Sequence, residues 1–448
     1  MRWSKFAAFF LLFSACLGRV VPAQAADAAS GGILFRNVHV FDGKGEEAYG
    51  PVDVRVEGNV IKRISAEDSV SADAAVVIEG EGKVLMPGLI DNHWHSMMAL
   101  PAREVLLTAD IGYLNILAAG GAREALMRGF TTLRDLGGPS FSLKLAIDQG
   151  LIAGPRIYPA GAMISQTGGH GDFRMPYEIP REPDAPLSYS ERVGASAIAD
   201  SPDDVRLRVR EQLMKGAALI KVMAGGGVAS LYDPLDAVQY TEAEIRAAVE
   251  AAENWGTYVT VHAYTPRAIQ MAVRAGVKCV EHGQLADEET ARIMAEKGIW
   301  WSLQPFLDDE DANPHKDENS RKKQLEVARG TDNAYALAKK YGIKVAWGTD
   351  ILGSAAQTRR QGVRLTKMLR WYSAAEVLRM ATSDNAELLA LSGPRNPYPG
   401  KLGVVEEGAL ADLLLVDGDP VRNLELLENP EKNLLVIVKD GKIYKSVN

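Results

Sequence analysis

The sequence predicts an eight-stranded parallel β/α barrel (TIM type) with a small β-sandwich beside it, built from both ends of the chain. Two observations carry the barrel. The middle of the chain repeats one phrase: an amphipathic helix, a glycine, a short β-rich run and a polar residue. It reads MRGFTTLRD, MKGAALIKV, NWGTYVTVH, RAGVKCVEH, EKGIWWSLQ and KYGIKVAWGTD. These runs are also apolar on both faces, as parallel strands covered by helices are. A third observation carries the sandwich: residues 32–84 and 403–448 alternate apolar and polar positions between Asp-Gly and Glu-Gly turns.

Taken in chain order, residues 1–25 read as an export signal. MRWSK is basic, FAAFFLLFSACLG is apolar, and Ala23-Gln24-Ala25 is a small-residue cleavage site. The apolar run is too short for a stable membrane span. Cleavage removes Arg2, Lys5 and Arg19 and takes the formal charge from −8 to −11. An acidic, exported chain excludes nucleic acid and anionic membrane as partners. The expected location is periplasmic or secreted. Leu12–Cys16 loosely resembles a lipoprotein signal, so membrane attachment enters only through lipidation at Cys16. With Cys16 removed, Cys279 is the one cysteine left and no intrachain disulfide is expected.

Residues 26–87 are assigned to the first part of the sandwich, 88–400 to the barrel and 401–448 to the second part. VLMPGLID reads as the first barrel strand and RIYPAGA as the third; with the six repeats the count reaches eight. The glycines at 129, 216, 256, 276, 298 and 342 fit left-handed helix C-terminal caps. Ser201 before Pro202, and a Thr241-to-Glu244 capping box, mark helix starts. The loop at 164–200 is long enough to be a lid.

Six residues end or interrupt apolar runs: His93 and His95 (NHWH), Lys221 (ALIKVMAGGG), His262 (TYVTVH), His282 (KCVEH) and Asp350 (AWGTD). Barrel active sites lie at the C-terminal ends of strands. Imidazole and carboxylate are the usual ligands of zinc-like ions, and an i, i+2 pair on a strand points to one side. A lone strand-end histidine is more often a packed core residue, and a lone lysine usually snorkels to water. Six at equivalent places in successive units argue instead for a two-metal hydrolytic site. An ammonium in so apolar a run is costly unless neutral. A neutral amine takes up carbon dioxide and becomes a carbamate able to bridge two ions. Gly225-Gly226-Gly227 reads as a tight turn near the site, Glu281 as a structural residue, His39 and His315 as surface residues, and Arg134-Asp135 as a rim ion pair.

HxH after PGLID, the lysine of IKVMAGGG, VHAYT, EHG, GTD and the late GALADLLLVDGDP together resemble the amidohydrolase superfamily. The match is closest to its imidazolonepropionase-like branch of metal-dependent peptidases. The sequence is similar to exported Xaa-Pro and Xaa-Arg/Lys dipeptidases and to ochratoxinases, which cleave an amide to phenylalanine. The resemblance implies that His93, His95 and Asp350 hold one divalent ion, and His262 and His282 a second, both expected to be zinc. Lys221, as N6-carboxylysine, would bridge them. It further implies that Asp350 shuttles the proton, that His170 in GGHGDF assists the carbonyl, and that Tyr264 contacts the substrate carboxylate. Arg174, Arg181 and Arg192 of the 164–200 loop are expected to add charge there. A homo-oligomer, often an octamer in the family, is implied too.

The expected function is hydrolysis of dipeptides or N-acyl amino acids with a free C-terminal carboxylate, proline or a basic residue leaving. An ochratoxin-type N-acyl-aromatic substrate is the nearest alternative. An imidazolonepropionase-like ring hydrolase or deaminase usually lacks the fourth-strand lysine. A non-enzymatic binding protein would be expected to have lost ligands.

Overall fold

In a computed structural model of the chain, which describes residues 32–66, 76–181, 185–230 and 232–447, eight parallel strands surround one core. They are Leu89–Trp94, Phe130–Asp135, a third in two pieces (Arg156–Pro159 and Met163–Ser165), Ile220–Met223, Val259–Ala263, Cys279–His282, Trp300–Leu303 and Val345–Trp347. Every residue in them is buried, because helices cover the outer face and side chains fill the inner one. The expected leader and Cys16 fall outside the described residues.

The helices between strands begin and end where the sequence marks them. Ser201 accepts a hydrogen bond from the Asp204 amide, and Thr241 and Glu244 form the reciprocal capping box. All six repeat glycines have positive φ, from 61° at Gly342 to 102° at Gly276. The third strand is broken at Ala160–Ala162. Its first half pairs with the second strand, and its second half with the fourth and with a short extra strand, Ser196–Ile198. That extra strand belongs to the 164–200 segment, which is therefore partly built into the barrel sheet.

Strands one and eight close the ring without a regular ladder. Asn385 seals the seam: its Nδ2 donates to the carbonyls of Ile90 (2.7 Å) and Trp347 (2.8 Å), and its Oδ1 accepts from the Trp347 amide (3.1 Å). Asn385→Ala leaves all three backbone groups unpaired in a buried place. With about 1–3 kcal/mol for each unmet group, we expect a loss of about 3 kcal/mol or more, read as a lower denaturation midpoint. A change under 1 kcal/mol would show that the seam does not depend on this residue.

The two ends of the chain supply the second module. Its strands run in one hydrogen-bonded path: Lys442–Ser446, Leu434–Lys439, Leu413–Val416, Val84–Pro87, Ile33–Val40, Tyr49–Glu57 and Val60–Ser65, with Val76–Glu79 beside Ile33–Val40. The path curls round its own core of Phe35, Val54, Ile61, Leu413 and Val438, and its far edge returns through the Ile61 amide to the Ala409 carbonyl (2.8 Å). VLMPGLID, read as one strand, is two. Val84–Pro87 pairs antiparallel with Leu413–Val416, and the barrel begins at Leu89. Gly88 lies between them, where a Cβ would come 2.1 Å from Thr131 Oγ1. Among the described residues no helix is long and apolar enough to cross a membrane.

Candidate metal centre

The strand ends bring His93, His95 and Asp350 into one cluster, with a donor atom from each within 4.8 Å of the others. Asp350 Oδ1 lies 3.4 Å from His93 Nε2 and 3.3 Å from His95 Nε2. The remaining rings continue the cluster: His93 to His282 at 4.9 Å between centroids, His282 to His262 at 4.6 Å, and His262 to His170 at 4.1 Å. Lys221 is 1 % exposed and, among the described residues, has neither a hydrogen bond nor an ion pair. Two backbones are bent to make this geometry. His282 (φ 69°) and Asp350 (φ 50°) occupy the left-handed region, which is costly for residues with a Cβ and collects at functional sites.

Each imidazole is oriented by a partner on its far nitrogen. His93 Nδ1 is 2.9 Å from Glu281 Oε2, His95 Nδ1 3.3 Å from the Gly137 carbonyl, His262 Nε2 3.1 Å from the Gly226 carbonyl, and His282 Nδ1 2.7 Å from Gln304 Oε1. The opposite nitrogens of His93 and His95 face Asp350, and those of His262 and His282 have no hydrogen-bond partner among the described residues. This is the support that metal-binding histidines ordinarily have. Asp91 does the same for the backbone, accepting from the His93 amide (3.1 Å) and from the amide and hydroxyl of Thr349 (3.0 and 2.7 Å). Gly348 is needed beside it, since a Cβ there would meet the His93 amide nitrogen at 2.4 Å.

Burial sets the protonation. It lowers His93 to about 4 and holds His262 and His282 well below the usual imidazole range, so all three are neutral. Burial lowers Lys221 to about 8, against the opposing pull of Glu281 and Asp350. For Asp350 burial pushes upward, but the neighbouring imidazoles outweigh it and hold the carboxyl well below the ordinary range. Neutral imidazoles, an ionised carboxylate and a lysine that sheds its proton easily are a donor set that suits divalent ions.

A cavity of about 160 Å³ opens at the cluster, and His170, His262, Tyr264 and Asp350 line it with Phe306 and Arg364. The His170 Nδ1 is 2.7 Å from Ser230 Oγ, and a Cβ on Gly227 would overlap its ring at 1.9 Å. Thus the Gly225–Gly227 turn admits the histidine. The Tyr264 hydroxyl has no hydrogen-bond partner among the described residues. A more open groove of about 430 Å³, between Tyr232–Asp236 and Asn319–Glu326, contains none of these cluster residues.

Several expectations are corrected here. Arg134 does not pair with Asp135. It is fully buried inside the barrel, where Nη2 is 2.5 Å from Glu281 Oε1 and Nε donates to the Asn92 carbonyl. Asp135 instead accepts from the Ser96 amide at 2.8 Å. Glu281 keeps the structural role read for it: strand alternation puts it on the side of Cys279 inside the barrel, where it binds Arg134 and lies 2.9 Å from His93 Nδ1. His315 is not a free surface residue but lines the cavity. Arg174 is held by Asp172 at 2.7 Å, and neither it nor Arg181 or Arg192 lines the cavity. Only His39 stands apart from the site as read, in the terminal module against the Gly82 carbonyl. The cavity walls come mainly from the segments after strands four, seven and eight, and from 164–200 only through His170. Sequence reasoning missed Asp91, Asn385 and Arg364, which lie outside the repeated phrase, and Gln304, which ends one of its copies (EKGIWWSLQ).

Residues 84–444 match the family model described as "Amidohydrolase family". Ochratoxinase from Aspergillus niger is 33 % identical over 391 residues, covering 81 % of this chain and 76 % of that protein. Among solved structures, an amidohydrolase superposes with a TM-score of 0.85 at 37 % identity, covering 93 % of this chain and 99 % of its own. A prolidase complexed with N-methylphosphonate-L-proline superposes with a TM-score of 0.83 at 34 % identity, covering 93 % of this chain and all (100 %) of its own.

Proposed function

Because the chain belongs to the amidohydrolase family and is a hydrolase of amide bonds, we propose that it cleaves dipeptides or N-acyl amino acids that keep a free C-terminal carboxylate. The observation that carries this reading is the His93–His95–Asp350 cluster at the foot of a cavity that also holds His170 and the unpartnered Tyr264 hydroxyl. His93, His95 and Asp350 would hold one divalent ion, zinc by the imidazole-rich donor set, and His262 and His282 a second. Lys221, carboxylated on Nζ, would bridge the two. Such ions polarise a scissile carbonyl and lower the pKa of water.

The chain's own groups do the rest. Asp350 takes the proton of the attacking water and returns it to the departing amine. His170, fixed through Nδ1 by Ser230, turns Nε2 toward the carbonyl oxygen. Tyr264 donates its O–H to the α-carboxylate of the leaving residue. Export with loss of residues 1–25, and assembly into a homo-oligomer, belong to the same proposal.

Turnover of matched free acids and amides tests it. We expect the free acid to be about ten- to a hundredfold better in kcat/KM, as a charge-assisted contact left unmade would cost. Tyr264→Phe should narrow that gap. Equal rates on acid and amide would overturn the reading, and preferred turnover of a cyclic imide or an aminopurine would make the enzyme a ring hydrolase or deaminase.

A further inference from the structure

Among the residues lining the cavity, Arg364 is the only arginine or lysine, and Asp350 the only acid. Arg364 stands on the short helix Gln361–Thr366 and is 6 % exposed. Its Nη2 donates to the Asp311 carbonyl and to Gln357 Oε1 (2.9 Å). Its Nε is buried with no acceptor, and Nη1 has none among the described residues. The acid with the largest pull on it is already engaged: the Asp311 carboxylate binds Arg360, and Lys367 Nζ at 2.9 Å. No described carboxylate lies within ion-pair distance of Arg364. A buried guanidinium whose counter-charges, Asp311, Asp309 and Asp350, all lie beyond ion-pair distance is costly unless something brings a closer one, and this one borders the cavity beside the candidate centre. Around it the wall is largely apolar, including Phe306, Leu307, Val327, Ile351 and Leu352.

We propose that Arg364 receives the α-carboxylate of the leaving residue, together with Tyr264, and that the cavity selects apolar leaving residues over basic ones. This rests on the reading of the chain as a hydrolase of substrates with a free carboxylate. Arginine supplies the charge that the sequence placed on the 164–200 loop, and its planar donors suit a carboxylate. A lysine or arginine side chain on the leaving residue would enter a wall that already holds one cation. The only acid there is Asp350, which is directed at His93 and His95.

The test compares Ala-Phe and Ala-Pro with their amides, and with Ala-Arg and Ala-Asp, in the wild type, Arg364→Gln and Arg364→Lys. In the wild type Ala-Arg should be at least tenfold poorer in kcat/KM than Ala-Phe or Ala-Pro. In Arg364→Gln the acid-to-amide ratio should fall about ten- to a hundredfold, chiefly through KM. Arg364→Lys should fall between. If the Gln variant does not fold, the Lys variant and the weaker inhibition of the wild type by L-prolinamide than by L-proline decide the matter. A residue that only braces the Asp311 loop would lower rates on acid and amide together and leave their ratio unchanged. That result, a preference for Ala-Arg, or an Arg364 effect confined to Ala-Asp would each overturn the inference. Should the wild type itself fail to distinguish acid from amide, the parent reading falls. If it does distinguish them and Arg364→Gln does so equally, only the role of Arg364 falls.

Discussion

Asp350→Asn should lower kcat by about a hundred- to ten-thousandfold, the range a positioned general acid–base contributes, while the ion at His262 and His282 stays bound. The amide keeps an oxygen for a metal but carries no proton to the leaving amine. Asp350 is held at φ 50° by its own amide, which donates to the His93 carbonyl at 2.8 Å, and Asp91 fixes the preceding Thr349. Those backbone contacts do not involve the substituted group, so the variant should fold with an unchanged midpoint. The loss belongs in kcat rather than KM. Turnover near wild type would move the proton transfer to another group, with His170 the nearest alternative on the cavity wall.

Lys221→Ala should lose most of the bound metal and nearly all activity, with partial recovery in short carboxylic acids that fill the space of a carbamate. Lys221 is fully enclosed and has no hydrogen bond or ion pair among the described residues, and the charges of Glu281 and Asp350 offset its burial only in part, its pKa still being lowered to about 8. Lys221→Met should therefore be no less stable than the wild type when both are stripped of metal. If Lys221→Met unfolds in the metal-free state, the lysine is a structural residue and the bridging role is wrong. Full metal content in Lys221→Ala would contradict that role equally.

The barrel was legible because its period is local. Each helix, glycine and buried strand lies within one stretch of chain, and a barrel puts chemistry at the strand ends, so His262, His282 and Asp350 could be located by position alone. What could not be read depends on partners far apart in sequence. Asn385 reaches Ile90 across 295 residues, and Arg134 reaches Glu281 across 147. Glu281 follows strand alternation, sharing a side with Cys279, but its partners Arg134 and His93 come from other strands. The break after Pro87 is invisible in VLMPGLID, whose apolar residues suit either neighbour; the pairing with Leu413–Val416 decides it. Arg364 sits in RLTKMLR, an ordinary charged helix by pattern. Only the engagement of Asp311 by Arg360 and Lys367 leaves it without a paired carboxylate.

The central claim is that four imidazoles, Asp350 and a carboxylated Lys221 hold two ions in one amide-cleaving site. Elemental analysis of fully active protein, together with intact mass under conditions that preserve the carbamate, measures it directly. The account predicts two divalent ions per chain and a mass gain of one carbon dioxide that disappears in Lys221→Ala. One ion per chain at full activity, with Lys221 unmodified, would contradict it.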